Sequence, residues 1–380
     1  MIGLYLHVPY CTVRCSYCDF YLVPARGRDR DAFVAALAAE IGAAGVEHPG
    51  RVADSLHCGG GTPSILPPAL LGRLLGAARA AFTLAPGAEI ALEANPEDID
   101  AGRAASWRAA GVGRIAIGVQ SFDDARLRLM RRPHDAARAA AAVGAARDVG
   151  FASVAVDLIL GLPGPGPDPT LADVARAAEL GADHVSLYLL EVHARTRLGR
   201  AIALGRVEPP SPDAAAGSYE AAADLLEALG YEHYEISNFA RPGHRSRHNM
   251  KYWTDAEFLG FGPSAHSYLG GRRWANAADL AAYLRCGGRG VARVFDDQPR
   301  RTRAVEALVT ALRTAEGADL GGLGARYGKV LPEAGDPVVG ELAAAGLLRV
   351  AGDRLALTRR GRLVSNEVFE RLMRAADELS

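Results

Sequence analysis

Lysine is almost missing from this 380-residue chain: it occurs only at Lys251 and Lys329, so nearly all of the 43 basic side chains are arginines. A bias spread over the whole chain reflects coding composition rather than a site. An excess of either charge is missing too. The 43 basic and 44 acidic residues nearly cancel, which excludes a global field able to gather nucleic acid or an anionic membrane surface. No apolar run approaches the roughly 18–20 residues needed to cross a bilayer. Met1 leads into Ile2-Gly3-Leu4-Tyr5-Leu6 with neither a basic leader region nor a small-residue cleavage site, so a cytoplasmic protein is expected. Cysteine is scarce, at five residues, yet three of them crowd into Cys11, Cys15 and Cys18. Clustered thiols in a chain of this size suit a metal better than a disulfide framework.

The chain is long enough for one large core and a smaller module. Up to about residue 230, short apolar runs alternate with alanine-rich stretches of helical period, the pattern of βα units around a parallel sheet. Six strands are predicted, at Gly3–Val8, Ser55–Cys58, Glu89–Glu93, Arg114–Val119, Ser153–Leu160 and His184–Leu189. Helices are predicted over Asp31–Ala44, Pro68–Ala81, Ala101–Ala110, Ala136–Val149, Thr170–Leu180 and Asp213–Leu229. Six units imply an α/β fold built as an incomplete (β/α)6 barrel, with chemistry at the C-terminal ends of its strands. The break Gly161–Pro167 reads as a βα loop and Glu208–Pro212 as a lobe boundary. The polar stretch Val192–Pro212 reads as a lid or as cavity wall. Three segments result: 1–230 as the barrel, 231–299 as a barrel-closing α+β extension, and 300–380 as a small winged-helix-like module. That module is expected to pack or dock rather than bind DNA, because Pro337–Ala345 lacks an arginine-dense face.

The three clustered cysteines follow the first strand with spacing C-x₃-C-x₂-C. Thiolates are the soft ligands that iron–sulfur clusters select. Structural zinc would need a fourth ligand, His7 or Asp19. Three cysteines on a four-iron cube leave one iron without a protein ligand. After the second strand, His57-Cys58-Gly59-Gly60-Gly61-Thr62-Pro63 lets backbone come close to a ligand, and Cys58 reads as a small buried residue. Glu93 and Gln120 end apolar strands and face the barrel mouth. Asp157 lies inside an apolar strand and needs a partner, for which Arg132 is the candidate.

On these motifs the sequence resembles the radical S-adenosylmethionine (SAM) superfamily, in the branch of oxygen-independent coproporphyrinogen III oxidases and HemW-type heme chaperones. The resemblance implies a [4Fe-4S] cluster on Cys11, Cys15 and Cys18, with SAM chelating the open iron. It implies SAM contacts from Gly60, Gly61 and Thr62 of the glycine run and from Glu93, Gln120, Arg132 and Asp157, with Ile159 along the adenine. Tyr5 and Tyr17 are placed beside cofactor and cluster, and Glu191 and His266 align with further contacts through backbone.

Within the branch, Tyr17-Cys18-Asp19-Phe20 has the chaperone pattern and lacks the further cysteine of the oxidases. Tyr5 is also close to the chain start, where the oxidases carry an extension. His248-Asn249-x-x-Tyr252 matches the HemW-type motif. Imidazole can ligate heme iron, Tyr252 and Trp253 offer flat apolar surface, and Arg245, Arg247 or Lys251 can pair with propionates; the alternative is that His248 and Asn249 hold the two lobes together. The leading expectation is a heme chaperone that passes heme to a respiratory hemoprotein, associating with a membrane only through that acceptor. The rival is radical oxidative decarboxylation of coproporphyrinogen III, and a nucleic-acid adaptor stands third.

Overall fold

The computed structural model describes residues 1–163 and 168–378. Of the break Gly161–Pro167, residues 164–167 lie outside them. The chain divides into two compact units. One comprises Met1–Glu232, Phe239–His244 and Glu257–Phe295; the other comprises His233–Asn238, Arg245–Ala256 and Asp296–Ser380.

The larger unit is an α/β fold around a mixed sheet. Its parallel part runs in chain order through β1 (Ile2–Val8), β2 (Val52–Gly60), β3 (Thr83–Ala94), β4 (Arg114–Gln120), β5 (Ser153–Leu160) and β6 (His184–Leu189). These are the six strands expected; five lie within three residues of their predicted bounds, and β3 begins six residues earlier, at Thr83 rather than Glu89. Intervening helices cover Arg30–Glu47, Pro68–Ala81, Ala101–Ala109, Ala136–Val149, Thr170–Glu179 and Pro212–Ala228. Asp29, Asp100 and Asp135 cap three of them by accepting a backbone N–H, and Gly150, at φ 79°, closes the one that Asp135 caps.

The two faces of the strands differ, as period-2 alternation requires. Leu4, Leu6, Leu56, Leu92, Ile115, Ile117, Val154 and Val156 form a fully buried apolar face. Burying each such side chain contributes roughly 1.5–3 kcal/mol. The opposite face carries small and polar residues: Tyr5 registers with His57, Glu93 with Ala116, and Asp157 with Ser186. From that face Glu93, Ala116 and Asp157 line the site.

Strands from the 231–299 segment continue the sheet beyond β1. β7 (Phe258–Phe261) pairs with β1 in parallel, Leu4 against Leu259, and the antiparallel strands His266–Leu269 and Arg272–Asn276 continue the sheet. The Glu208–Pro212 break is not a lobe boundary, because both of its sides belong to the larger unit. Ser211 instead caps the helix that begins at Pro212.

In the smaller unit, helix Arg300–Leu312 buries Ala304, Leu308 and Leu312 at i, i+4 and i+8 against Val339, Leu342, Leu355, Val368 and Leu372. The hairpin expected at Gly352-Asp353 joins Leu348–Ala351 to Arg354–Leu357, and Ala318–Asp319 pairs with the latter as a third strand. Helix Ser365–Glu378 completes this core.

Candidate functional site

At the C-terminal ends of β2 to β6 lies a cavity of about 740 Å³. Cys11, Cys15 and Cys18 line it, together with Tyr17, the glycine run from Gly60 to Thr62, Glu93, Gln120, Arg132, Asp157, Ile159 and Glu191. Tyr5 and His266 are not among its lining residues, and His248, Asn249 and Tyr252 belong to the smaller unit.

The glycine run has a packing reason. A Cβ on Gly59 would lie 2.7 Å from Glu93 Oε1, one on Gly60 would lie 2.7 Å from the His7 ring, and one on Gly61 would lie 2.7 Å from the Tyr10 carbonyl oxygen. Gly60 also has φ 114°, which side chains rarely adopt. The Gly60 N–H donates to Glu93 Oε2 at 3.2 Å. His57 Nε2 meets Glu93 Oε1 at 2.8 Å, and the Tyr5 ring stacks on His57 with centroids 6.0 Å apart. Tyr5 therefore sits behind the site, in contact with a residue that orients Glu93. His57 was not singled out by the sequence reading, although a histidine one alternation along from the glycines was the available signal.

Arg132 is not the partner of Asp157. Its guanidinium donates to Gly118 O at 2.7 Å, to Asn95 Oδ1 at 2.8 Å and to Cys15 Sγ at 3.4 Å. Asp157 instead accepts from the Ser186 hydroxyl, its neighbour across the β5–β6 ladder, and burial raises its carboxyl to about 6. Gln120 holds a left-handed backbone, φ 69°, at the end of β4. The turn after it is fixed by Asp173, which accepts from Ser121 Oγ at 2.6 Å and from Phe122 N–H at 2.7 Å. Ile159 packs with Leu127, Met130, Leu162, Leu190 and Leu198, and Tyr17 lies against the same cluster. His266 is exposed, with its carbonyl turned toward Gly260.

The cysteine loop fits an iron–sulfur cube. Cys11, Cys15 and Cys18 line one cavity, and a cube takes its thiolates on separate irons. Cys58 is buried and is not among the residues that line the cavity. Cys286 does not line the cavity. Three thiols facing the same open cavity as Glu93, Arg132 and Asp157 suit a cluster with one iron left to a small-molecule chelator.

In the smaller unit, His248 and Tyr252 lie on helix Arg247–Trp253, capped by Ser246. His248 is buried, with Nε2 2.9 Å from the Tyr252 hydroxyl. Arg245 pairs with Glu316 at 2.6 Å, and Lys251 is buried. Both are thereby poorly placed for the propionate role expected of them.

The Radical SAM superfamily model matches residues 5–177, and the HemN C-terminal domain model matches 298–364. Among solved structures, coproporphyrinogen III oxidase (HemN) of Escherichia coli, a radical SAM enzyme, superposes with a TM-score of 0.83 and 26% identity, over 98% of this chain and 89% of that one. The heme chaperone HemW of Mycobacterium tuberculosis is 38% identical over 98% of this chain and 94% of its own length. HemW of Bacillus subtilis is 32% identical over 97% and 98%. The chain belongs to the HemW family of the radical SAM superfamily.

Proposed function

We propose that this protein is a heme chaperone that holds a [4Fe-4S] cluster on Cys11, Cys15 and Cys18, binds SAM in the adjoining cavity, and delivers heme to a hemoprotein acceptor. The observation that carries the reading is the convergence of three thiols, the Gly60–Thr62 loop, Glu93, Arg132 and Asp157 on one cavity, in a chain similar over nearly its whole length to proteins named heme chaperones.

A bound cluster would supply a one-electron centre with one iron open to chelation by the methionyl part of SAM. The protein's own part is positioning. Glu93, held by His57 and the Gly60 N–H, offers a carboxylate to the cofactor ammonium. Ile159 offers an apolar wall for the adenine. Asp157, steadied by Ser186, offers an acceptor inside the cavity. His248 is the axial-ligand candidate for heme iron, with Asn249 and Tyr252 beside it on the same helix. No helix among the described residues is long and apolar enough to cross a membrane, so contact with a membrane would come through the acceptor. The C-terminal unit, read as winged-helix-like, serves packing or docking rather than nucleic-acid binding.

The test is anaerobic reconstitution followed by heme titration and a coproporphyrinogen assay. Tight heme binding without decarboxylation is expected. Decarboxylation without stable heme binding would restore the oxidase.

A further inference from the structure

A second cavity, of about 710 Å³, adjoins the first in the larger unit. The two share Cys15, Cys18, Asp19, Phe20, Tyr21 and Arg195. The other walls of the second are Arg14, Thr196, Arg197 and Arg200. Four guanidiniums thus face one carboxylate, Asp19, and both of its oxygens accept from Arg195. Arg14 and Arg200 each give a nitrogen to a backbone carbonyl, that of Phe20 at 3.2 Å and that of Arg195 at 3.0 Å. Neither they nor Arg197 form an ion pair among the described residues. Arg197 and Arg200 stand three apart on helix Arg197–Ala203, and so share a face.

The first cavity also carries exposed apolar side chains. Phe20, which lines both, is 71% exposed, and Leu189 and Tyr188, which line the first, are 58% and 41% exposed. One such residue at a surface needs no explanation, but three lining a cavity that shares walls with the arginines make an amphipathic surface. It suits a flat apolar ligand with carboxylates on one edge, because a guanidinium fork takes a carboxylate bidentately.

We propose that the arginine-lined cavity anchors the propionate carboxylates of heme through Arg14, Arg197 and Arg200, with the macrocycle lying across Phe20, Tyr188 and Leu189. The inference rests on the heme-chaperone reading and gives heme a site on the larger unit, in addition to the candidate ligand His248 of the smaller unit.

The test uses the full-length, anaerobically reconstituted protein, titrated with heme and with heme dimethyl ester, whose carboxylates are masked. Arg197→Ala/Arg200→Ala is expected to weaken heme binding by about tenfold or more, to leave binding of the diester unchanged, and to be partly rescued in Arg197→Lys/Arg200→Lys. Equal weakening for both ligands, or none for either, would overturn the carboxylate role while leaving the chaperone reading in place. Failure of the wild type to bind heme would overturn both. Unchanged heme affinity with slower reduction of the cluster by an acidic redox protein would make the cavity a protein dock instead, and would likewise overturn the proposal.

Discussion

Cys11 and Cys15 are joined by a continuous line of polar side chains. Cys11 Sγ lies 3.3 Å from Thr62 Oγ1, Asn95 Nδ2 donates to that hydroxyl at 3.4 Å, and Arg132 bridges Asn95 Oδ1 to Cys15 Sγ. The link draws on β2, β3 and the segment after β4, and it holds the cysteine loop to the strand ends. Arg132→Ala would leave the Gly118 carbonyl and Asn95 Oδ1 without this donor, at about 1–3 kcal/mol for each group left buried. Lower iron retention after reconstitution and a lower thermal midpoint are expected. Arg132→Lys should rescue little, because an ammonium cannot reproduce the fork. Wild-type iron content in both variants would remove the link from the account.

Glu93 is oriented by His57 and by the Gly60 N–H. His57→Phe keeps a ring against Tyr5 but removes the polar contact with the carboxylate. SAM affinity measured by calorimetry is expected to fall about tenfold, in line with the loss of a charge-assisted bond, while cluster content stays at the wild-type level. Equal affinity in the two proteins would leave Glu93 independent of His57.

Asp173 clamps the turn that follows Gln120, and burial raises its carboxyl from an ordinary 3.8 to about 6, against the hydrogen bonds from Ser121 and Phe122. A carboxyl raised on folding contributes stability that is complete below the unfolded value and is lost as pH rises through the folded one. That contribution therefore disappears between pH 3.8 and about 6. Asp173→Asn lacks the titration and still offers an acceptor to Phe122 N–H, so its thermal midpoint relative to wild type is expected to rise across this window. Parallel midpoint curves from pH 4 to 7 would contradict the assignment.

His248 Nε2 is hydrogen-bonded to the Tyr252 hydroxyl at 2.9 Å, and ligation of heme iron through that nitrogen would break the bond. Tyr252→Phe removes a bond worth about 0.5–1.5 kcal/mol, and so should strengthen histidine-type heme ligation severalfold, whereas His248→Ala should abolish it in the absorption spectrum. A heme spectrum indifferent to both changes, with lowered stability in His248→Ala, would assign the histidine to packing.

Much of this was legible in the sequence where a local pattern has one physical solution. The six apolar runs could only be strands flanked by alanine-rich helices, and the cysteine spacing singled out one loop. What stayed hidden depends on neighbours distant in sequence. The strand Arg272–Asn276 carries two arginines and is held by its ladder with His266–Leu269. Helix Arg197–Ala203 sat inside a segment read as lid or cavity wall; Thr196 Oγ1 accepting from Gly199 N–H starts it. Helix Ser365–Glu378 was readable from Val368, Leu372 and Ala376 at i, i+4 and i+8 and was overlooked. The partner of Arg132 was not readable, because choosing Asn95 over Asp157 requires knowing which strand ends lie beneath the loop.

The central claim is that the cavity holds a cluster with one iron open to SAM. Electron paramagnetic resonance of the reduced, anaerobically reconstituted protein, recorded before and after adding SAM, tests it most directly. The account expects a [4Fe-4S] signal that changes on SAM addition and is absent from the Cys11→Ala/Cys15→Ala/Cys18→Ala variant. A signal that persists in that variant, or that SAM leaves unaltered, would contradict it.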